Sequence, residues 1–374
     1  MSVALARKTL VREWRRFMPA LLTLCFAAML LWVQAALVLG IFGSAAVYIT
    51  ASAGDLWAGY PGTQSVSLGH PINRGLGMLL RTDPEVTAVD PLLFVDGYWH
   101  KPGGGNVEVY VSGVDLTGPG LVFRHLLTPG LRAALAEPGA VIVDRSDLAQ
   151  LDARVGSRGR IDGHPVRVVA AVSGLRALGG VNMIASRFTA RGLDHSAGGV
   201  TYWVAKLADP GSAARVRARL SGRTTFGPYE LWPAHAFAQR SQRYWLLDTG
   251  AGVAVLFLAT IVLLSGAVIA SQALMAVVVS SAREFATLNA LGVGFRALRW
   301  VVLEQAAWVG GVGLVLGAAL SAALLWVAHH ADVPVAMTLP VGAACALAVM
   351  LLALVSGVMA MRGLLRADPG LLLR

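Results

Sequence analysis

Four stretches of the chain stay apolar for far longer than the interior of a soluble domain requires. They run over 17–43, 249–279, about 300–327 and 335–361, and the one charge within them is Glu304, near the start of the third. A helix needs about 20 apolar residues to cross the hydrocarbon core of a bilayer. None of the runs shows the period-2 alternation of a barrel strand, and lipid admits only helices or closed barrels. The pattern predicts four transmembrane helices. The first run is 27 residues long, against about 7–15 for the apolar core of a cleaved signal. It also lacks a small-x-small site at the right distance, so an uncleaved anchor is expected.

The stretch 44–245 has a different texture. Val107, Val109 and Val111 alternate within Asn106–Asp115 and predict a strand. Val141–Val143, Val166–Val172 and Thr201–Ala205 read likewise. Pro71–Arg81, Leu131–Ala136 and Pro210–Leu220 read as helices, the last opening at Asp209-Pro210. This predicts an α+β domain inserted between helices one and two, with two lobes divided near Thr117-Gly118-Pro119-Gly120. Trp245–Val279 would measure about 52 Å as one helix. With its polar lead-in Gln239, Arg240, Gln242 and Arg243, helix two is expected to project from the membrane as a stalk.

Composition fits a membrane protein. Apolar residues make up 56% and charged residues 14%, against roughly 25% charged in soluble domains. The net charge of +10 invites a nucleic-acid reading, which the location of the charge removes. Arg7, Lys8, Arg12, Arg15 and Arg16 against Glu13 precede helix one. Arg283, Arg296 and Arg299 against Glu284 lie between helices two and three, and Arg362, Arg366 and Arg374 against Asp368 form the tail. These short segments hold most of the excess, which places them in the cytoplasm. The expected plan is a cytoplasmic segment 1–16, helix 17–43, extracytoplasmic domain 44–245, helix with stalk 246–279 and cytoplasmic loop 280–299. Helix 300–327, a short outer loop 328–334, helix 335–361 and a cytoplasmic tail 362–374 follow.

Catalytic chemistry is hard to find. The histidines of the outer domain are scattered, and neither H-E-x-x-H nor G-x-S-x-G occurs. Cys25 and Cys345 fall inside apolar runs and give no metal spacing. His329-His330 with Asp332 offers donors for a metal or haem iron, but the favoured reading is an interfacial polar cap on two helix ends. Trp57, Tyr60, Trp99, Tyr202, Trp203 and Trp232 are expected mainly in the core. Arg215, Arg217 and Arg219 read as the solvated face of a surface helix. None of the three lysines (Lys8, Lys101, Lys206) follows the glycines of a P-loop. If the protein does energised work, another chain supplies the energy.

The loop after helix two is more informative. Phe285, Leu288 and Leu291 recur at three-residue steps and Gly292 follows as a helix stop. This predicts a short amphipathic helix at the cytoplasmic surface, its apolar stripe resting on lipid or docking into a partner, with Arg283 and Glu284 at the rim. In helix three, Gly313, Gly317 and Ser321 line one face at four-residue spacing, a face for close helix packing, expected within the subunit rather than between two copies.

The run Arg283-Glu-Phe-Ala-Thr-Leu-Asn-Ala-Leu-Gly292 resembles the R-E-x-A-x-L-x-A-L-G signature of the FtsX-like, MacB-type ABC-transporter permeases. Arg366-Ala-Asp-Pro369-Gly-Leu-Leu-Leu-Arg374 is similar to the close of that family's chains, and Gly156–Val172 to a hairpin of their outer domain, with Ser157 where an acid is usual. Ala53-Gly54-Asp55-Leu56-Trp57 is similar to the DevC-like subgroup. The resemblance implies a non-enzymatic permease of a bacterial inner membrane with both termini cytoplasmic. It implies a homodimer bound to two ATPase subunits that hold ATP and magnesium, with no cofactor in this chain. Motion would pass through the loop helix (Arg283, Glu284, Phe285, Leu288, Leu291, Gly292) to the outer domain. A lipid-like or hydrophobic cargo, a membrane-fusion adaptor and an outer-membrane channel complete the expectation. The alternatives are a transducer controlling a cell-wall hydrolase and a lipoprotein-release permease.

Overall fold

The computed structural model describes residues 14–118, 120–194, 199–222, 224–280, 295–331 and 333–366. Two compact units result, one from the segments up to Gly40 and from Ala254 onward, the other from Ile41–Val253.

The second unit begins where α1 (Trp14–Gly43) gives way to a 3-10 turn, Ser44–Ala46, and a last helical turn, α2 (Val47–Thr50). In chain order there follow β1 (Leu56–Gly59), α3 (Leu76–Arg81), β2 (Val86–His100), β3 (Asn106–Val114) and α4 (Pro129–Ala134). Next come β4 (Ala140–Asp144), α5 (Leu148–Leu151), β5 (Arg158–Ile161), β6 (His164–Val172), β7 (Val181–Ser186) and α6 (Arg187–Leu193). The unit closes with β8 (Tyr202–Leu207), α7 (Ala213–Leu220), β9 (Glu230–Pro233) and α8 (Ala234–Arg243). The α+β reading holds, and the four segments read as strands are β3, β4, β6 and β8.

The strand order is β3-β7-β4-β6-β5-β2-β8-β1-β9, with β2 also paired to β3. That extra pairing closes six strands into a ring, and β8, β1 and β9 extend from it as an open sheet. The 15-residue β2 serves both lobes: Val86–Leu92 pairs with β8, while Leu92–His100 runs antiparallel to β3. The lobes thus meet within β2 and not at residues 117–120. The segment expected to divide them is fastened down instead. Leu121 N donates to Asp90 Oδ2 at 2.6 Å, and Thr117 N to Asp115 Oδ1 at 3.0 Å, which makes a pinned Asx turn rather than a linker.

Alternation along the strands sorts side chains between cores. Val107, Val109, Val111, Val141, Val143, Val166 and Val168 form one buried cluster with Leu93, Val95, Trp99 and Met183. Ile142 and Ile184, pointing the other way, join Tyr48, Phe123, Trp57, Tyr202 and Phe237. A third cluster lies under α3 and α7, with Leu76, Leu80, Trp203, Val216 and Leu220. Trp99 is fully buried and donates its Nε1 to Leu151 O at 3.1 Å. Gly159 is required beneath it, because a Cβ there would stand 2.2 Å from the indole. The β5–β6 hairpin turns at Asp162 and Gly163, with φ of 46° and 85°, as a primed two-residue turn demands. It coincides with the hairpin resemblance over Gly156–Val172.

The other unit contains most of α1 and of α9 (Gly250–Ser280), together with α10 (Phe295–His330) and α11 (Leu339–Arg366). Among the described residues, Phe17–Thr50, Gly250–Ile269 and Leu303–His330 are long and apolar enough to cross a membrane, and α11 contributes a shorter apolar stretch, Leu339–Val355. Trp300 and Trp326 of α10 are both well exposed. Helical rise separates them by about 39 Å, which matches aromatic belts at the two faces of a bilayer about 40 Å thick with its headgroups.

Trp245–Val279 is not one helix. Tyr244–Asp248 winds as a π-helix and Thr249 is extended (φ −103°, ψ 145°) before α9 starts. Thr249 Oγ1 accepts from Gly252 N at 3.1 Å and so satisfies one of the donors a new helix start leaves open. Gln239, Arg240, Gln242 and Arg243 belong to α8, which buries Phe237, Ala238 and Ser241 within the outer domain.

Candidate functional site

The sequence pointed to two groups of residues. Arg283, Glu284, Phe285, Leu288, Leu291 and Gly292 lie outside the described residues, in the connection between Ser280 of α9 and Phe295 of α10. The second group, Gly313, Gly317 and Ser321, is brought together along one face of α10, and that face meets α1.

The approach there is close. A Cβ at Gly313 would stand 3.1 Å from Leu24 Cβ and 3.3 Å from Cys25 N. At Gly317 it would stand 2.8 Å from both Ala28 Cβ and Cys25 O. Ser321 Oγ donates to Gly317 O at 2.7 Å and faces Met29 O at 3.5 Å. Lipid supplies no hydrophobic drive for helices to associate, so close packing of small residues takes its place.

A second seam escaped the sequence reading. A Cβ at Gly310 would meet Ala353 Cβ at 3.0 Å, and one at Gly357 would meet Ala306 Cβ at the same distance. Ala306-x-x-x-Gly310 and Ala353-x-x-x-Gly357 thus interlock between α10 and α11. The small-x-x-x-small spacing was there to be found, masked by the abundance of alanine. Phe17, Ala20, Leu24, Val309 and Ala353 close the core of this three-helix bundle. The segment before α11 and the start of α11 are also fixed to α1: Ala336 N donates to Ala36 O at 3.1 Å and Trp32 Nε1 to Gly342 O at 3.1 Å.

By contrast α9 keeps Phe257, Leu258, Leu264, Val268 and Ile269 exposed. Between α1, α9 and α11 lies an apolar groove of about 360 Å³, lined by Ala27, Leu31, Val262, Gly266, Val349 and Leu352 among others.

Of the six aromatic residues expected in the core, five are there. Trp57, Trp99, Tyr202, Trp203 and Trp232 are buried, whereas Tyr60 is exposed. Two arginines of α7 are tied to carboxylates rather than simply solvated. Arg219 donates to Asp83 Oδ1 and Glu85 Oε2, both at 2.8 Å, and Arg215 lies 3.5 Å from Glu85 Oε1.

Two buried aspartates hold loops. Asp144 accepts from Leu175 N (2.7 Å) and Arg176 N (3.0 Å). Beside it, burial pushes the Asp147 carboxyl up to about 6, opposed by Arg176 and reinforced by Asp144. Burial likewise raises Asp90. No group of three or more His, Cys, Asp or Glu able to hold a metal occurs among the described residues. The His330 ring packs tilted against Trp326, with centroids 4.1 Å apart, and Asp332 lies outside the described residues.

The FtsX-like permease C-terminal family matches residues 256–369. No curated protein matches the chain. Three solved structures are similar in part. The periplasmic region of MacB from Actinobacillus actinomycetemcomitans shares 13% identity at a TM-score of 0.37, over 51% of this chain and 94% of that one. The extracellular domain of the noncanonic ABC-type transporter YknZ from Gram-positive bacteria shares 13% at 0.36, over 48% and 98%. A domain of a protein described as a permease, from Porphyromonas gingivalis, shares 12% at 0.34, over 49% and 91%.

Proposed function

We propose that this chain is the membrane subunit of an ABC efflux system in a bacterial inner membrane, driven by a separate ATPase; the match of residues 256–369 to the FtsX-like permease C-terminal family supports this reading. The observation that carries the proposal is the position of Arg283–Gly292. The R-E-x-A-x-L-x-A-L-G run lies inside the family match and joins the two helices Gly250–Ser280 and Phe295–His330. Phe285, Leu288 and Leu291 form the apolar stripe that docks into the ATPase, and Arg283 and Glu284 pair at its rim.

In this reading two copies of the chain bind two ATPase subunits, which hold ATP and magnesium. Closure of the ATPase pair moves the loop, and the helices pass the movement to the outer domain. The apolar face of α9 meets lipid and the second copy. The interiors of the described spans carry no charge apart from Glu304, which suits transmission of movement better than a polar conduit through the helices. The cargo is lipid-like or hydrophobic, handled on the outer side with an adaptor and an outer-membrane channel.

The test replaces Phe285, Leu288 and Leu291 with Asp in the full chain, co-expressed with the ATP-binding protein of its own system. The proposal predicts loss of co-purification and of ATP-dependent transport, with the chain still inserted and folded. Undiminished binding and transport would overturn it.

A further inference from the structure

The π-helical turn ahead of α9 carries a side chain in contact with both lobes of the outer domain. Trp245 Nε1 donates to Ser65 Oγ at 3.1 Å. Ser65 is fully buried on the side of the open sheet β8-β1-β9, just before the 3-10 turn Val66–Leu68. That turn is held from two further directions: Val66 N donates to Ser241 Oγ of α8 at 3.3 Å, and Tyr202 OH of β8 donates to Val66 O at 2.8 Å.

The far edge of the same indole lies against the ring lobe. A Cβ at Gly179 would stand 3.5 Å from Trp245 Cη2. Gly179 has φ +108° and stands two residues before β7. The loop that leads to it is fixed to the ring through Leu175, whose N donates to Asp144 and whose O accepts from Asn182 Nδ2 at 3.0 Å. Trp245 is therefore bonded to Ser65 on one side and has its ring edge beside Gly179, four residues from the anchored Leu175, on the other.

The backbone around Trp245 departs from a regular α-helix. Thr249 is extended, and its Oγ1 donates to Trp245 O at 2.5 Å. The carbonyls of Trp245 and Leu246 press on Gly252, where a Cβ would stand 2.3 Å from each oxygen. A π-turn differs from an α-turn by one step of hydrogen bonding, and one residue of register is about 100° around a helix axis.

We infer that Trp245 is the positioning residue through which a movement of the α9 lead-in reaches both lobes at once, by its hydrogen bond to Ser65 and the approach of its ring edge to Gly179. Its role in driven transport rests on the permease reading; its bridging of the lobes does not.

The experiment is amide hydrogen exchange on the full chain in nanodiscs. Trp245→Ala should raise exchange about tenfold or more in both 65–68 and 174–180, with β2, β3 and β7 still protected. Trp245→Phe, which keeps a ring and loses the N–H, should raise it only in 65–68, and Ser65→Ala should match it. Wild-type exchange in either loop of Trp245→Ala would overturn the inference, as would uniform loss of protection across the domain.

A second arm adds the ATPase. ATP should change exchange in both loops of the wild type, and Trp245→Ala should abolish that change while ATP hydrolysis continues. An ATP-dependent change that survives Trp245→Ala would refute the transmission role. If no ATPase binds the wild-type chain, the permease reading fails, while the first arm still decides whether Trp245 bridges the lobes.

Discussion

The seam between α1 and α10 allows a graded test of close helix packing. Ideal Cβ positions at Gly311, Gly313 and Gly317 meet nothing within 4 Å, a nearest atom at 3.1 Å and a nearest atom at 2.8 Å respectively. Replacing Gly by Ala in a helix gains up to about 1 kcal/mol of intrinsic propensity, while forcing a methyl into filled space costs about 1–3 kcal/mol. Gly311→Ala should therefore be neutral or stabilising. Gly313→Ala should come out near balance, since its neighbours need yield only slightly. Gly317→Ala should be destabilising by up to about 2 kcal/mol, because one of its two close contacts is the Cys25 carbonyl, which cannot step aside without moving α1. Gly317→Leu should separate the two helices. The assay is reversible unfolding of the full chain in mixed micelles, followed by helical circular dichroism. Equal stability of the Gly311, Gly313 and Gly317 alanine variants, or an unperturbed Gly317→Leu protein, would refute the packing argument.

Other outcomes follow from the outer domain. Asp147 has its folded carboxyl raised to about 6 from an ordinary 3.8, so the fold takes up a proton the unfolded chain does not. Stability should fall as pH rises from about 4 to about 6, with a full deficit of about 3 kcal/mol above that window. Asp147→Asn should be the more stable protein at pH 7.5 and lose its advantage by pH 4; parallel denaturation curves would contradict this. Gly159→Ala should destabilise the ring by about 1–3 kcal/mol through displacement of Trp99, and a shift in tryptophan emission together with the melting midpoint would reveal it. Asp55 accepts from Leu207 N at 3.0 Å and pairs with Lys206 at 3.0 Å. Asp55→Ala should cost about 1.5–3 kcal/mol and Lys206→Ala less than about 1 kcal/mol, an order that chemical denaturation would verify.

The helices and the inserted domain were legible because their signals are local. Long uncharged runs admit few structures, and the alternating valines of Asn106–Asp115 line the interior of the ring. The boundary between lobes was not legible, because it depends on β2 pairing with β8 at one end and with β3 at the other. Pairing partners are a property of the whole sheet. The break at Thr249 had only a weak local signal: Asp248-Thr249-Gly250 can cap a helix, but the apolar run beginning at Thr249 reads as uninterrupted. Gly313, Gly317 and Ser321 were found by spacing, whereas Ala306, Gly310, Ala353 and Gly357 carry the same spacing in a background where alanine is common. Trp245 carried no signal at all as a bridge, since Ser65 and Gly179 lie far from it in sequence.

The central claim is that an ATP-hydrolysing protein sits against Arg283–Gly292. A photo-cross-linking residue placed at Glu284 of the full chain, activated in the native membrane and followed by mass spectrometry of the adduct, tests it directly. The account predicts one dominant adduct with a P-loop ATPase, strengthened by a non-hydrolysable ATP analogue and absent when the cross-linker is placed at Met78 of the outer domain. An adduct with an extracytoplasmic protein at Glu284, or the ATPase captured from Met78 instead, would contradict it.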